Sequence, residues 1–529
     1  MLLSQLGGRR ARAGCLRVWE MKAEKQRQQR ESRIKTMKHQ LDHEAAGDGT
    51  TEQLARWVAG LRAEEVPERV LERAKHLILD GIGCGLVGAR VPWSEKMLHA
   101  VSQYEPEGPC SVIGSEKRYG PLAAAILNGS FIQATELDDY HSGAPLHSAS
   151  IIIPALLAGA EATQKDRPIT GRDLLIAAIA GFETGPRAGL ALYGAEMLTR
   201  GWHSGPVFGC PAAAAATSRL FGLGVRETES ALGIACTQAG GLMVAQYEGM
   251  IKRAQHAFAA RNGLFGALLA RGGYEGMRKV FERPYGGFLA MFSAGNGHDP
   301  AWKVDELNSD KVVAGLGELW HTELIRIKLH ACVGGCHGQI EVIEKLQKQH
   351  PDRFTLDKLR HIRKINTYFS HPVYAHDGWV PEERPLTETG GQMNAAYIGA
   401  AQLTDGQVLL EQFRPAKLND DLIWELIHKT ECFHDAEFDK PGQVAGCRVN
   451  IEFDDGVSVE EWTPWPKGYD PPISNEDIRA KWRKLSASVI DADRARQIEE
   501  LILGLDKADE TAISKLGALL VGPVGNAMA

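Results

Sequence analysis

Apolar residues recur at helical spacing through most of the first 300 positions of the chain. In TTEQLARWVAGL, residues 50–61, one face holds Leu54, Trp57, Val58 and Leu61, so a helix is predicted to begin at Thr50 or Thr51. Later segments are rich in Ala, Leu and Gly, and several are apolar on every face. These predicted helices occupy 66–89, 121–137, 151–164, 173–192, 211–223, 229–243 and 256–274. Helices that are hydrophobic all round lie inside a large protein, so the pattern predicts a large helical domain.

The pattern changes after about residue 310. Residues 360–370, RHIRKINTYFS, alternate like a strand. Residues 447–462 read as a hairpin in which Asp455-Gly456 forms the turn. Amphipathic helices return at 495–520. The predicted fold is therefore mainly α with a smaller α+β domain.

This order of elements predicts a discontinuous helical domain. It would consist of residues 49–310 and 466–529, with the smaller α+β domain at 311–465 inserted between them. The length of 529 residues agrees with more than one domain, because single cores stop growing at about 250–300 residues.

The first 48 residues differ from the rest and form a predicted basic extension. Positions 1–40 hold 11 Lys and Arg and 3 Asp and Glu, so they carry +8, whereas residues 41–529 carry −15. Residues 1–19 lack acidic residues and mix Leu with Arg, which suits a mitochondrial presequence. A dispensable extension is the favoured interpretation. It predicts a cytoplasmic protein, with a mitochondrial location as the alternative.

Composition excludes several classes of function. A net charge of −7 argues against a general nucleic-acid binder, and the chain contains no apolar run long enough to predict a membrane span. We find no dinucleotide-binding glycine motif, phosphate-binding loop, HExxH or GxSxG. Cys332, Cys336 and His337 could supply three zinc ligands, but no second pair lies nearby at finger spacing. Nucleotide cofactors and serine-hydrolase chemistry therefore have no support in the sequence, and a zinc site is not favoured.

Ionisable residues interrupt the apolar helical sequence in four polar islands. Burying an ionisable side chain without a partner costs several kcal/mol, so its presence in apolar helical sequence indicates a structural or functional role. The islands are ELDDYHSGAPLH with Glu136, Asp138, Asp139, Tyr140, His141 and His147; GWHSGPVFG with His203; YEGMIKRAQH with Lys252, Arg253, Gln255 and His256; and KLHACVGGCH with Lys328, His330 and His337.

Together the islands offer carboxylates, imidazoles and lysines, a set that suits general acid–base chemistry on an anionic substrate. Lys252 and Arg253 would hold substrate carboxylates, while histidines would move protons near neutral pH. Alternatives stay open. Asp138 and Asp139 could cap a helix, and any single histidine could be structural. Asp138, Asp139 and His141 could also bind a divalent ion, although they match no known metal pattern.

At these islands the sequence resembles the MmgE/PrpD family of 2-methylcitrate dehydratases and cis-aconitate decarboxylases. The resemblance covers about residues 50–520 and is carried by LNGSFIQATELDDYHSGAPLHSASIIIPALLAGAE, GWHSGPVFGCPAAAAATSRLFGL, GMIKRAQHAFAARNGLFGALLARGGYEG, IKLHACVGGCHG and AAYIGAAQLTDGQVLLEQF. Within the family, the chain is most similar to the fungal enzymes that form itaconate. This resemblance implies a homodimer of a large helical domain and a lid domain, with the active site between them and no metal or organic cofactor.

The resemblance also implies roles for individual residues. His203, His147, Lys252, Tyr140 and Glu136 are expected to be catalytic. The expected substrate-binding residues are Asp138, Asp139, His141, Arg253, Gln255, Lys328 and His337. The chain departs from the family pattern at several of its motifs. Glu136, Tyr140 and Gln255 stand where many relatives have Asp, Thr and His; Val333 stands where decarboxylases tend to have Cys or His, and His330 where Tyr or Phe is usual.

The expected reaction is decarboxylation of cis-aconitate, or of a close tricarboxylic analogue, to itaconate. His203 or His147 would donate the proton, and Lys252 would stabilise the developing negative charge. The alternative is dehydration of 2-methylcitrate or an alkylcitrate by the same groups. No nucleic-acid or membrane partner is expected for this protein.

Overall fold

Helices account for most of the ordered backbone. The computed structural model describes Glu24 and residues 49–294, 307–440 and 442–528. From Thr50 onward the helices are α1 (Thr50–Gly60), α2 (Glu68–Gly88), α3 (Pro92–Ser102), α4 (Pro121–Gln133), α5 (Ala149–Thr163), α6 (Gly171–Ala191), α7 (Glu196–Thr199), α8 (Ser204–Phe221), α9 (Val225–Cys236), α10 (Ala245–Glu248), α11 (Ile251–Arg271), α12 (Phe288–Ser293), α13 (His337–Gln349), α14 (His371–Asp377), α15 (Glu388–Gln392), α16 (Ala395–Asp405), α17 (Pro415–Leu418), α18 (Asp421–His428), α19 (Asn475–Ala487), α20 (Ala492–Leu503) and α21 (Thr511–Leu520).

The core lies among the long helices that were predicted from apolar sequence. Helix α8 packs against α6 and α11, and α4 and α5 pack against each other and against α11. Helix α1 begins at Thr50 as predicted, with Leu54, Val58 and Leu61 buried. The Thr51 hydroxyl donates a hydrogen bond of 2.5 Å to Glu282 Oε2, so this side chain ties α1 to a distant loop.

The strands form two sheets and a short separate segment. They are β1 (Glu107–Cys110), β2 (Asp139–His141), β3 (Ile325–Ile327), β4 (Ile362–Phe369), β5 (Thr430–His434), β6 (Cys447–Phe453) and β7 (Ser458–Thr463). The larger sheet has the order β5-β4-β6-β7, in which β4 and β5 are parallel and the other pairs are antiparallel. The predicted strand at 360–370 and the predicted hairpin at 447–462 are therefore confirmed.

Helix α13 packs against β6, β7 and α16, which makes the sheet region an α+β layer. The fold class is confirmed: a mainly helical protein with a small α+β part. Helices α19 and α20 pack against α2, so helices from the later part of the chain contact one near its beginning. The division into domains at 310 and 465 stays a prediction.

The predicted extension, residues 1–48, lies outside the described residues apart from Glu24. None of the helices in the described segments is both long enough and apolar enough to cross a membrane.

Candidate active site

The loop between α4 and α5 carries the first polar island. Its residues Asp139–His141 form β2, which pairs with β3 so that Asp139 lies opposite Ile327 and His141 opposite Ile325. This pairing brings Lys328, the next residue after β3, close to Glu136 although 192 positions separate them. A two-stranded sheet thus joins the first and the fourth islands.

Glu136 is the centre of a buried cluster of charges. Its Oε1 accepts hydrogen bonds of 2.5 Å from Lys252 Nζ and from Arg253, and its Oε2 accepts one of 2.6 Å from Lys328 Nζ. All four side chains are at least 98% buried. Three cations therefore converge on one carboxylate away from water.

The pKa values in the cluster follow from this geometry. Burial raises the pKa of the Glu136 carboxyl, but Lys252, Lys328 and Arg253 outweigh burial and hold it well below its ordinary value. Burial lowers the pKa of Lys252 from 10.5 to about 8; Glu136 opposes this shift, whereas Arg253 and Lys328 add to it. The cluster is ionic at neutral pH.

His147 forms a pair with Asp138. Its Nδ1 lies 3.2 Å from Asp138 Oδ1, and Lys328 Nζ lies 4.0 Å from the same oxygen. An ionised carboxylate only accepts hydrogen bonds, so Nδ1 carries the proton and Nε2 is left for exchange. Burial lowers the pKa of His147, and Asp138 opposes that shift.

His203 stands at the N-terminal end of α8 and is fixed by Gln255. Gln255 Nε2 donates to the carbonyl of Leu242 at 3.2 Å, so Gln255 Oε1 is the atom that lies 2.5 Å from His203 Nδ1. His203 Nδ1 must therefore donate, which leaves Nε2 as the nitrogen that can exchange a proton. Burial, and next Lys252, lower the pKa of His203 well below its ordinary value.

His256 lies between these two histidines. Its ring centre is 4.7 Å from that of His147 and 4.6 Å from that of His203. It is fully buried, and neither of its ring nitrogens has a hydrogen-bond partner among the described residues. A Cβ at Gly205 would lie 2.0 Å from His256 Nε2, so a glycine on α8 makes room for the ring.

These groups surround a cavity with about 790 Å³ of empty space, part of which is open to solvent. The structure places seven of the predicted site residues in its lining: Glu136, Tyr140, His141, His147, His203, Lys252 and Lys328. Of these, His141 has both ring nitrogens engaged within the protein. Its Nδ1 accepts from the amides of Gly143 and Ala144, and its Nε2 lies 3.2 Å from His321 Nδ1.

Five other predicted residues do not line the cavity. Asp138, Arg253 and Gln255 contact His147, Glu136 and His203, and so support lining residues. Asp139 Oδ1 accepts from the amide of Ala149, the first residue of α5, which is the helix-capping contact considered as an alternative. His337 is buried against His330, with ring centres 5.0 Å apart. The roles of all these residues stay predictions.

Within the described segments, no group of three or more His, Cys, Asp or Glu side chains is arranged to hold a metal ion. Cys332 and Cys336 are both buried, and burial raises the pKa of each thiol. This favours the neutral thiol over the thiolate that zinc requires.

Comparison with known families gives two matches that together cover most of the chain. Residues 52–301 match the model of the MmgE/PrpD N-terminal domain, and residues 330–507 match that of the MmgE/PrpD C-terminal domain. The chain belongs to the MmgE/PrpD family.

Several members of the MmgE/PrpD family are similar over nearly their whole length. The "Cis-aconitate decarboxylase-like protein oryM" of Aspergillus oryzae is 62% identical over 475 residues, which are 89% of this chain and 97% of that protein. A cis-aconitate decarboxylase of Aspergillus terreus is 52% identical over 485 residues, or 90% of this chain and 97% of that protein. A human cis-aconitate decarboxylase is 25% identical over 481 residues, or 89% and 95%.

In this MmgE/PrpD chain, sequence reasoning missed residues that hold the site together. Gln392 Nε2 donates to the carbonyls of Thr135 and Ala331, and Gln392 Oε1 accepts from Arg253. Lys481 of α19 donates to the carbonyl of Leu137 at 2.5 Å and pairs with Asp80 at 2.8 Å. Neither residue lies in a polar island, so no local signal could have identified it. His256 did lie in an island, four residues after Lys252, and that helical spacing was the available signal.

Proposed function

We propose that this protein is a carboxy-lyase that converts cis-aconitate to itaconate and CO₂. The observation that carries the proposal is the buried cluster in which Lys252, Arg253 and Lys328 converge on Glu136 beside two histidines. Such a cluster suits a substrate with several carboxylates. The similarity to decarboxylases of two Aspergillus species supports the same reaction.

The chemistry requires one bond to break and one to form. In cis-aconitate, the departing carboxylate is on a CH₂ group next to the C=C bond. Loss of CO₂ moves the electron pair of that C–C bond into a new double bond, and the original double bond shifts its pair to the far CH carbon. The adjacent carboxylate then carries extra negative charge until one proton is added at that carbon.

In the proposed mechanism, Lys252 and Lys328 stabilise the negative charge that develops on the retained carboxylate. His203 donates the proton from Nε2, because Gln255 occupies its Nδ1. In the empty site, burial keeps the pKa of His203 low, so the ring is neutral. A bound tricarboxylate favours the imidazolium, which is then a strong acid close to its acceptor carbon. His147, paired with Asp138, also lies in the lining of this cavity.

Turnover in deuterium oxide tests the reaction directly. Purified protein and cis-aconitate should give itaconate and CO₂ in equal amounts, with one deuterium on the saturated CH₂ of itaconate and none on its vinylic CH₂. Citrate and 2-methylcitrate serve as comparison substrates. Loss of water from either one, with no CO₂ from cis-aconitate, would make the protein a dehydratase instead.

We also propose that the reaction uses no metal or organic cofactor, because Lys252 and Lys328 supply the positive charge and His203 supplies the proton. After dialysis against EDTA, turnover should stay within about twofold of the untreated enzyme. Loss of turnover that a divalent ion restores would contradict this.

A homodimer is proposed as the working assembly, in the cytoplasm. Apolar side chains are exposed between 242 and 251, directly before Lys252: Leu242, Val244, Tyr247, Met250 and Ile251. Exposed apolar patches of this kind mark protein interfaces. Sedimentation should give about twice the chain mass of 57.7 kDa. A monomer at working concentrations would contradict the proposal.

A further inference from the structure

Part of the cavity lining is mainly apolar, unlike the part that contains Lys252 and Lys328. Between residues 333 and 445 the lining consists of glycines and apolar side chains, together with a single pair of titratable residues, His376 and Asp377. The apolar and glycine members are Val333, Gly334, Gly335, Pro372, Val373, Met393, Val444 and Ala445. No island or motif in the sequence pointed to this pair.

His376 and Asp377 end helix α14 and form a hydrogen-bonded dyad. His376 Nδ1 contacts Asp377 Oδ1, and both side chains are at least 95% buried. A Cβ at Gly335 would lie 2.6 Å from Asp377 Oδ2, so the glycine loop leaves room for the carboxylate. Because an ionised carboxylate accepts, Nδ1 is the protonated nitrogen, and Asp377 sets the orientation of the ring.

The other ring nitrogen is unused. His376 Nε2 is buried and has no hydrogen-bond partner among the described residues. A buried polar atom without a partner costs stability, so an atom of this kind beside a cavity indicates a contact that is completed by a ligand.

We propose that His376 is a substrate-binding residue that donates from Nε2 to one carboxylate of the substrate, with Asp377 as its positioning residue. The substrate class rests on the proposed function. A tricarboxylate has one more carboxylate than the cavity lining has lysines, since Lys252 and Lys328 are the two in that lining. An imidazolium between Asp377 and a substrate carboxylate would have a partner on both nitrogens.

Binding of unreactive analogues tests the proposal. Propane-1,2,3-tricarboxylate lacks the double bond, and glutarate and 2-methylsuccinate each lack one of its carboxylates. By calorimetry, His376→Asn should bind the tricarboxylate roughly 10–100-fold more weakly, the usual effect of losing a charge-assisted hydrogen bond. At least one of the two dicarboxylates should bind wild type and variant equally, because it lacks the carboxylate that His376 holds.

Two further variants serve as a control and a comparison. His371→Asn changes a half-exposed histidine of the same helix that does not line this cavity, and it should leave all affinities within about twofold. Asp377→Asn should weaken tricarboxylate binding less than His376→Asn does, with the same pattern among the three ligands. Unchanged tricarboxylate affinity in His376→Asn, or an equal loss for all three ligands, would overturn the proposal. A wild type that makes no itaconate would instead refute the proposed function.

Discussion

Glu136 has a backbone φ of 55°, in the left-handed region that residues with a side chain rarely adopt. Such a conformation costs about 1–3 kcal/mol and persists only where the surroundings hold it. Here Gln133 and three cations bind its side chain. The strained residue is thus the one that assembles the cation cluster.

At the residue scale, His203 is expected to take up a proton when substrate binds. Burial lowers its pKa, so the ring is neutral in the empty site, and a bound trianion reverses that preference. At pH 7.5, binding of propane-1,2,3-tricarboxylate should consume about one proton per site at His203. Calorimetry in buffers of different ionisation enthalpy measures this uptake.

His203→Ala provides the matching control for that uptake. The variant should take up about one proton fewer per site than wild type, and its kcat should fall roughly 10²–10⁴-fold, the usual contribution of a positioned acid. KM should change less. Normal kcat in a folded His203→Ala protein would transfer the acid role to His147 or Tyr140.

Lys252 is expected to set an alkaline limit on activity. With burial lowering its pKa to about 8, the ammonium charge is present below pH 8 and is lost above it. In a pH profile, kcat/KM should therefore fall by about tenfold per pH unit above 8. Lys252→Arg should be less active but should lack this limb, because arginine stays charged. A limb that persists near pH 8 in Lys252→Arg would belong to another group.

At the element scale, helices α8 and α11 meet at Gly205 and His256. Gly205→Ala should lower Tm by several degrees and reduce turnover, because the new methyl group would displace His256 from between His147 and His203. Gly60→Ala is a suitable control, since a Cβ there has nothing within 4 Å.

A double variant tests whether Gly205→Ala acts through contact with His256. In Gly205→Ala/His256→Ala, Tm should fall by less than the sum of the two single changes. Additive changes in Tm would show that the two positions do not interact.

Periodicity predicted the helices and the hairpin because each depends on residues close together in sequence. The polar islands identified Glu136, His147, His203 and Lys252 as candidate site residues, because ionisable side chains are conspicuous within apolar helices. All four line the cavity. Contacts across long separations could not be read from the sequence. The bond from Lys328 to Glu136 spans 192 residues, and it depends on the pairing of two three-residue strands.

At the scale of the whole molecule, all residues of the candidate site that the structure describes lie after Thr50. Deletion of residues 1–45 should therefore leave Tm within a few degrees and kcat within about twofold of the full chain. Melting curves and steady-state kinetics of the two proteins measure this. An insoluble or inactive truncated protein would show that the basic segment contributes to folding.

The bond from Lys481 to the carbonyl of Leu137 joins residues 344 positions apart. Synthesis proceeds at about 5–20 residues per second, so Leu137 leaves the ribosome roughly 20–70 s before Lys481 does. During that interval the nascent loop that carries Glu136 lacks this anchor. We therefore expect the candidate site to be completed late, when most of the chain has been synthesised.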